Sequence, residues 1–434
     1  MRHLLEVLPG ADLPDPARES DAPGVQLTFP DDDDLLRPAT EEELLGTTSR
    51  GALSHAAPSV LGKHLVWTFG PIHRALPFPL ALRVELDGDR LSAVDPECGF
   101  LHQGLEKRAE LEPFAFGFQL MEQLSPRRPV GHQLAYALLV ERAFGWVGRC
   151  TRATQLWRLV ALEALRITEH LVLLAHPALA PNDRGLADGV RQHAANAADA
   201  LDALCAGGIF AAAGGLLRAP SDADAAPLRA LMTPLHALVH ALRSRRTTLT
   251  SDVEALDGHL AGKGTLDRPT AVACGISGPA LRACGLPDDA RVQSPAFAYD
   301  SFVLQPATAQ GGCVRARLRV RVDELQSALI LLEQAFKALA SASHDVTPPH
   351  EVQAVWTAGA PHTGVARAVV ELPSGELSLA LAFVAGALRP SRLRIRGPSA
   401  ALVAALPNLL VGNRIDDVAP VLASLGLNGA ELDR

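Results

Sequence analysis

Between residues 102 and 262, apolar side chains recur at three- and four-residue intervals in one segment after another, roughly over 102–124, 131–146, 152–178, 186–206 and 227–262. A chain that repeats this period so often must bury one stripe of each helix against the others, which predicts a helical core. The glycine pairs Gly207-Gly208 and Gly214-Gly215 and several Pro-containing turns separate the segments. A further segment, VRARLRVRVDELQSALILLEQAFKAL, carries two signals. Val314 to Val322 alternates as a strand would, whereas Leu325, Leu329, Leu332, Phe336 and Leu339 keep the helical period. The segment is expected to form one long helix starting near Cys313.

Strand patterns lie on either side of this core. HLVWTFGP, FPLALRVELDGD and RLSAVD read as strands joined by turns, with Asp87-Gly88 as a hairpin signal. Towards the other end, ARAVVELPSGELSLALAFV reads as a hairpin, SRLRIRGPS as another strand, and Ala400 to Leu425 as two short helices. The expected class is therefore α+β: a mainly helical core of long helices, with small antiparallel sheets near the N- and C-terminal parts. Residues 1–60 are rich in Pro, Asp, Ser and Ala and carry the acidic run Asp31 to Asp34, so they are expected to be a poorly ordered arm ahead of a single domain over 61–434. Within that arm, Thr40 to Glu43 reads either as a capping box or as a solvated acidic stretch.

Composition excludes several functions. A net charge of −8 with no basic stripe argues against a nucleic-acid partner. The longest apolar run, Leu377 to Leu388, falls short of the roughly 20 residues that span a bilayer, and the apolar stretch in MRHLLEVLPGADLPDP is too short for a signal peptide, so a cytoplasmic chain is expected. None of the six cysteines, Cys98, Cys150, Cys205, Cys274, Cys284 and Cys313, stands in a Cys-x-x-Cys, so neither a zinc ribbon nor a cluster-binding loop is written here.

Three stretches place ionisable groups close together. In CGFLHQGLEKRAE, His102 and Glu106 are spaced to share one helix face, as a surface ion pair or as part of a site. In RLVALEALRITEH, Arg158, Glu163, Arg166 and His170 form either a buried charged network or the polar side of an amphipathic helix. In MEQLSPRRPVGHQLAY, His132 opens a helix as a proton relay or as a cap. No P-loop, nucleophile elbow or dinucleotide-binding glycine pattern accompanies them.

These stretches, in this order, resemble the large subunits of membrane-bound nickel–iron hydrogenases of the formate-hydrogenlyase type and their relative, the D-type subunit of NADH:quinone oxidoreductase (complex I). The resemblance covers about Phe69 to Arg434. FGPIHRALPFPLALRVELDGD is similar to a Gly-Pro-x-His strand of the family, and GFLHQGLEKRAE to its His-Arg-Gly-x-Glu-Lys motif, with Gln103 replacing the arginine. GISGPALRACGLPDDAR, ELPSGELSLAL, RLRIRGPS and LLVGNRIDDVAPVLASLGLNGAELDR fall where the family has similar text.

The departures bear on function. In the hydrogenases two Cys-x-x-Cys pairs supply four thiolates to nickel and iron, which prefer sulfur. By the resemblance those positions are Ser125, Arg128, Asn428 and Glu431 here. Cys98, near His102 in sequence, is not at a ligand position. In complex I a histidine and a tyrosine hydrogen-bond the quinone head group, and those positions are Pro77 and Pro126. The resemblance thus implies a subunit that binds no metal and no cofactor, within a membrane-associated oxidoreductase. It would lie peripherally on the inner face of the membrane. It would dock on an iron–sulfur small subunit with a 4Fe-4S cluster, beside a C-type subunit like that of complex I and membrane antiporter-like subunits. A purely structural scaffold, or a remodelled pocket that still takes a quinone, are the alternative readings. His73, His102, Glu106, His132 and Glu431 are the residues expected to line the vacated cavity or relay protons, with Arg128 as a fixed charge paired to Glu431 and Glu106.

Overall fold

The computed structural model describes residues 59–61, 64–73, 76, 78–146, 150–179, 184–206, 222–244, 260–341 and 359–434. These belong to one compact unit, Leu53–Arg434, and the expected arm lies outside them as far as residue 58. Four strands, β1 (Ser59–Leu61), β2 (His64–Phe69), β3 (Ala81–Asp87) and β4 (Arg90–Glu97), pair antiparallel in sequence order. The β3–β4 turn is made by Gly88 and Asp89 between the pair Asp87↔Arg90, with Gly88 at φ 63°, a left-handed conformation that favours glycine. Leu82, Val84 and Leu86 alternate inward and pack on helices from the C-terminal end.

The bundle follows. Helix α1 spans Leu105–Leu111, α2 Gly117–Leu124, α3 Val130–Phe144, α4 Arg152–Leu174, α5 Arg184–Ala206 and α6 Asp222–Ser244. The segment expected as one helix over 102–124 is broken: Glu112 is extended at φ −109°, ψ 153°, the conformation a following proline imposes, and Pro113 and a 3-10 turn over Phe114–Phe116 separate α1 from α2. Of the helix expected over 227–262, α6 forms the part to Ser244, residues 245–259 lie outside the described residues, and 260–264 is a turn. Both glycine pairs lie outside the described residues. Past three short helical turns at Arg268–Ala273, Gly278–Arg282 and Ala290–Gln293 comes α7, Val314–Leu339, a single helix despite its alternating first half. Arg317, Arg321 and Glu324 are all buried on it at four- and three-residue spacing, so the alternating arginines include a helical stripe.

Helix α4 packs on both α5 and α7, α6 closes the group against α5 and α7, and every residue of α3 except Arg142 is buried between α4 and the second sheet. That sheet is β5 (Gly364–Leu372), β6 (Gly375–Phe383) and β7 (Arg392–Arg396), again antiparallel in order. The tail forms more helices than the expected two: α8 (Pro398–Ala404), α9 (Leu406–Leu410), a 3-10 turn at Ile415–Asp417, α10 (Val418–Leu425) and α11 (Gly429–Leu432). The expected class, a helical core with sheets near both ends, is what forms.

Candidate functional site

A cavity of about 630 Å³ opens where the α2–α3 loop, α4, the β5–β6 turn and the closing stretch of the chain meet. Its position follows from two local devices. Helix α10 ends at Gly426 in the left-handed conformation, φ 69°, which turns the chain back on itself. Asn428 then caps α11: its Oδ1 accepts from the N–H groups of Ala430 (3.1 Å) and Glu431 (3.4 Å), while its Nδ2 donates to Leu124 O at the end of α2 (2.8 Å). That last bond draws together segments some 300 residues apart, and with them Ser125, Pro126, Arg128, His132, Asn428 and Glu431 all line one cavity.

Glu431 is held from behind. Its Oε1 accepts from Ser399 N (3.4 Å) at the start of α8, and Gly397 lies so close that a side chain there would collide with the carboxylate. Its Oε2 and His132 Nε2 stand 3.6 Å apart, and among the described residues neither has a hydrogen-bond partner although both side chains are at most 5% exposed. Arg128 does not pair with Glu431 or Glu106. Its Nη1 donates to Glu169 Oε1 on α4 at 2.7 Å, because the loop after Ser125 turns Arg128 towards that helix. Arg321, Glu169 and His176 also line the cavity and were missed in the sequence. Burial lowers the imidazole pKa of His176.

The other expected residues lie elsewhere. His73 is half-buried in the β2–β3 loop and does not line the cavity. His102 precedes α1 rather than sharing its face with Glu106, and its Nδ1 lies 3.0 Å from Asp433 O. Glu106 joins α1 to β7 and the chain end, accepting from Ile395 N (2.8 Å), Arg394 (3.1 Å) and Arg434 (3.1 Å). Both serve a structural junction. Pro77 lies outside the described residues.

Behind the cavity runs a buried charged network. Arg321 Nη1 donates to His170 Nδ1 (3.2 Å), and His170 Nε2 lies 2.8 Å from Glu324, which also accepts from Arg282 Nε (2.9 Å). Arg282 continues to Glu371 (2.9 Å), Arg291 links Asp289 (2.8 Å) to Glu163 (3.2 Å), and Tyr299 donates to Glu163. Arg166 joins the two groups, 3.3 Å from Glu163 and 3.7 Å from Glu324, so Glu163, Arg166 and His170 are members of one network. Arg158 is not: it makes a separate bidentate pair with Glu141 at 2.7 and 3.0 Å. Burial pushes the Glu324 carboxyl up, but the Arg282 guanidinium and the His170 hydrogen bond outweigh it and hold the group well below the usual range. Burial, with Arg321 and Arg166 adding to it against Glu324, takes His170 down to about 4, so the imidazole is neutral at pH 7, with Nε2–H donating to Glu324 and Nδ1 accepting from Arg321.

The same fold occurs in a membrane-bound respiratory complex. A chain of the membrane-bound sulfane sulfur reductase, an archaeal respiratory membrane complex, superposes with a TM-score of 0.71 at 27% identity, covering 87% of this chain and 100% of that one. The chain belongs to the family described as the respiratory-chain NADH dehydrogenase 49 kDa subunit, whose model matches residues 210–434. The second NADH-quinone oxidoreductase D-type subunit of Roseiflexus sp. is 28% identical over 405 residues, covering 87% of this chain and 95% of the relative. The corresponding D-type subunit of Akkermansia muciniphila is 26% identical over 393 residues, covering 86% and 94%. Among the described residues no helix is long and apolar enough to cross a membrane.

Proposed function

We propose that this chain is the D-type large subunit of a membrane respiratory oxidoreductase, peripheral to the bilayer, and that it works without a metal of its own. It docks on an iron–sulfur small subunit whose 4Fe-4S cluster carries the electrons, beside C-type and antiporter-like partners, and couples electron transfer to the membrane module. The reading is supported most directly by the four positions that carry thiolates in the hydrogenases. Here they are a hydroxyl at Ser125, a guanidinium already bonded to Glu169, an amide that caps α11, and a carboxylate held by Ser399 N, and all four line one cavity. Such a donor set does not fit nickel or iron, which favour thiolate, and a cationic arginine repels a metal. Pro126, which lines the same cavity at the quinone tyrosine position, has no side-chain donor, so a quinone held as in complex I is not favoured.

Co-expression with an iron–sulfur small subunit from the same genome tests this. The expected result is a stoichiometric complex with iron but no nickel. Failure to associate with any such subunit, or about one nickel per chain, overturns it.

A further inference from the structure

The geometry points to a docking surface for an acidic helix of a partner subunit on the outward face of the second sheet, β5–β6–β7. The inference rests on the chain being one subunit of a larger complex, as proposed above. Alternation separates the two faces of this sheet. On β6, Leu377, Leu379, Leu381 and Phe383 are buried in the helical core, while Ser378, Ala380 and Ala382 stand half-buried on the other side. On β7, Leu393 and Ile395 point inward and Arg392, Arg394 and Arg396 are exposed. On β5, Arg367 is exposed, and Val365 beside it is 66% exposed.

The strand register fixes the layout. Arg367 lies opposite Ala380, which lies opposite Arg394, and Val365, Ala382 and Arg392 make the next row. Neighbouring strands are ~4.8 Å apart, so β5 and β7 stand about 10 Å apart across a floor of small side chains, roughly the width of an α-helix. Along β7 the arginines recur every second residue, about 6.6 Å, close to the roughly 5–6 Å between helix positions four residues apart. Charge sets the chemistry of the occupant. The whole chain carries a net charge of −8, yet this face is basic. Glu106, at the β7 edge, already accepts from Ile395 N and Arg434 as well as from Arg394, and Glu376 stands at the far end of the face near Arg396 and Asp288. Among the described residues the side chains of Arg367, Arg389 and Arg392 make no hydrogen bond or ion pair. Arg142, which donates to Arg367 O, brings a further cation to the same edge. A guanidinium presents a rigid fork that a carboxylate fills with two bonds, so a helix with Asp or Glu at four-residue intervals meets both the spacing and the charge. A layer of lipid phosphates offers the charge without the spacing and leaves the floor of Ser378, Ala380 and Ala382 uncovered.

The test has two arms. Fluorescence anisotropy of the full chain with a dye-tagged alanine-based peptide helix bearing Glu at four-residue intervals, and with its Gln counterpart, reads the surface by itself. The Glu helix is expected to bind at least about tenfold more tightly than the Gln helix, and added salt to shrink the difference. Arg367→Glu combined with Arg392→Glu is expected to abolish it, with thermal unfolding confirming that the variant is folded; both side chains are exposed. In the complex isolated from host membranes, Arg392→Lys treated with a carbodiimide, which joins an amine to a carboxylate in contact with it, is expected to couple to an Asp or Glu in a helix of another subunit. Binding of neither helix, equal binding of both, a difference that survives the double substitution, or coupling only to Glu106 of the same chain overturns the surface. Arginine-dependent flotation on phosphatidylglycerol–phosphatidylcholine vesicles without binding of the Glu helix also overturns it and gives the face to the membrane. A complex that retains its iron–sulfur subunit alongside any of these results refutes the surface alone, whereas a Glu-helix preference in a chain that recruits no iron–sulfur subunit refutes the functional reading alone.

Discussion

His170 gives the buried network a measurable pH signature. The imidazole sits among Glu324 and Arg321 on α7 and Arg166 on its own helix, and the Arg321 N–H on Nδ1 leaves no room for a second ring proton. Its folded value of about 4 lies below the ordinary 6.5. Between those values the unfolded chain holds a proton that the folded chain lacks, so stability is complete above 6.5 and falls as the pH drops towards 4. Over that interval the linkage amounts to about 3 kcal/mol at ~1.4 kcal/mol per pH unit. Urea unfolding of the wild type and of His170→Gln across the interval isolates the contribution, because the carboxylates titrating in the same range are common to both. The wild type should lose about 2–3 kcal/mol more than the variant on acidification. Parallel pH profiles would mean instead that His170 is protonated in the folded state.

Other substitutions discriminate between the buried and surface pairs. Glu324→Leu strips Arg282 and His170 of a shared partner whose side chain is only 1% exposed and should cost about 3–5 kcal/mol, measured by denaturant midpoint. Arg158→Met strands Glu141 and should cost a similar amount, about 3–5 kcal/mol in the same assay. By contrast Arg128→Met breaks a pair whose carboxylate side chain is 37% exposed and should cost at most about 1 kcal/mol, additively with Glu431→Gln in a double-mutant cycle. Gly397→Ala should destabilise by roughly 1–3 kcal/mol through collision with Glu431, and Glu431→Ala should relieve much of that loss in the double variant.

How much of this could be read from the sequence depends on the range of the interaction concerned. Helices α3, α4, α5 and α7 follow from the apolar period, which is local. The break at Glu112–Pro113 has a local cause too, the restriction before proline, and the periodicity of the surrounding text conceals it. The alternation in Val314 to Val322 mimics a strand because arginines occupy both the buried stripe, at Arg317 and Arg321, and solvent positions such as Arg315. At the site, the grouping of Ser125, Arg128, Asn428 and Glu431 was visible only through resemblance to a family, since the bond that unites them, Asn428 to Leu124, spans the chain. The partner of Arg128 could not be read at all. Glu169, Glu106 and Glu431 are chemically alike, and only tertiary placement selects Glu169. The same holds for Glu324, Arg282 and Glu371, whose charges in the sequence look like ordinary surface residues and whose burial is decided by three separate elements meeting at Arg282.

A metal-free large subunit working beside an iron–sulfur partner has a distinct elemental signature. The most direct measurement is elemental analysis, with identification of the co-purifying chains, on tagged protein isolated from membranes of the native host. The expected result is an iron–sulfur small subunit in the preparation, about four or more irons per chain from its cluster, and nickel at background. About one nickel per chain, or the tagged protein recovered with no iron–sulfur subunit, would contradict it.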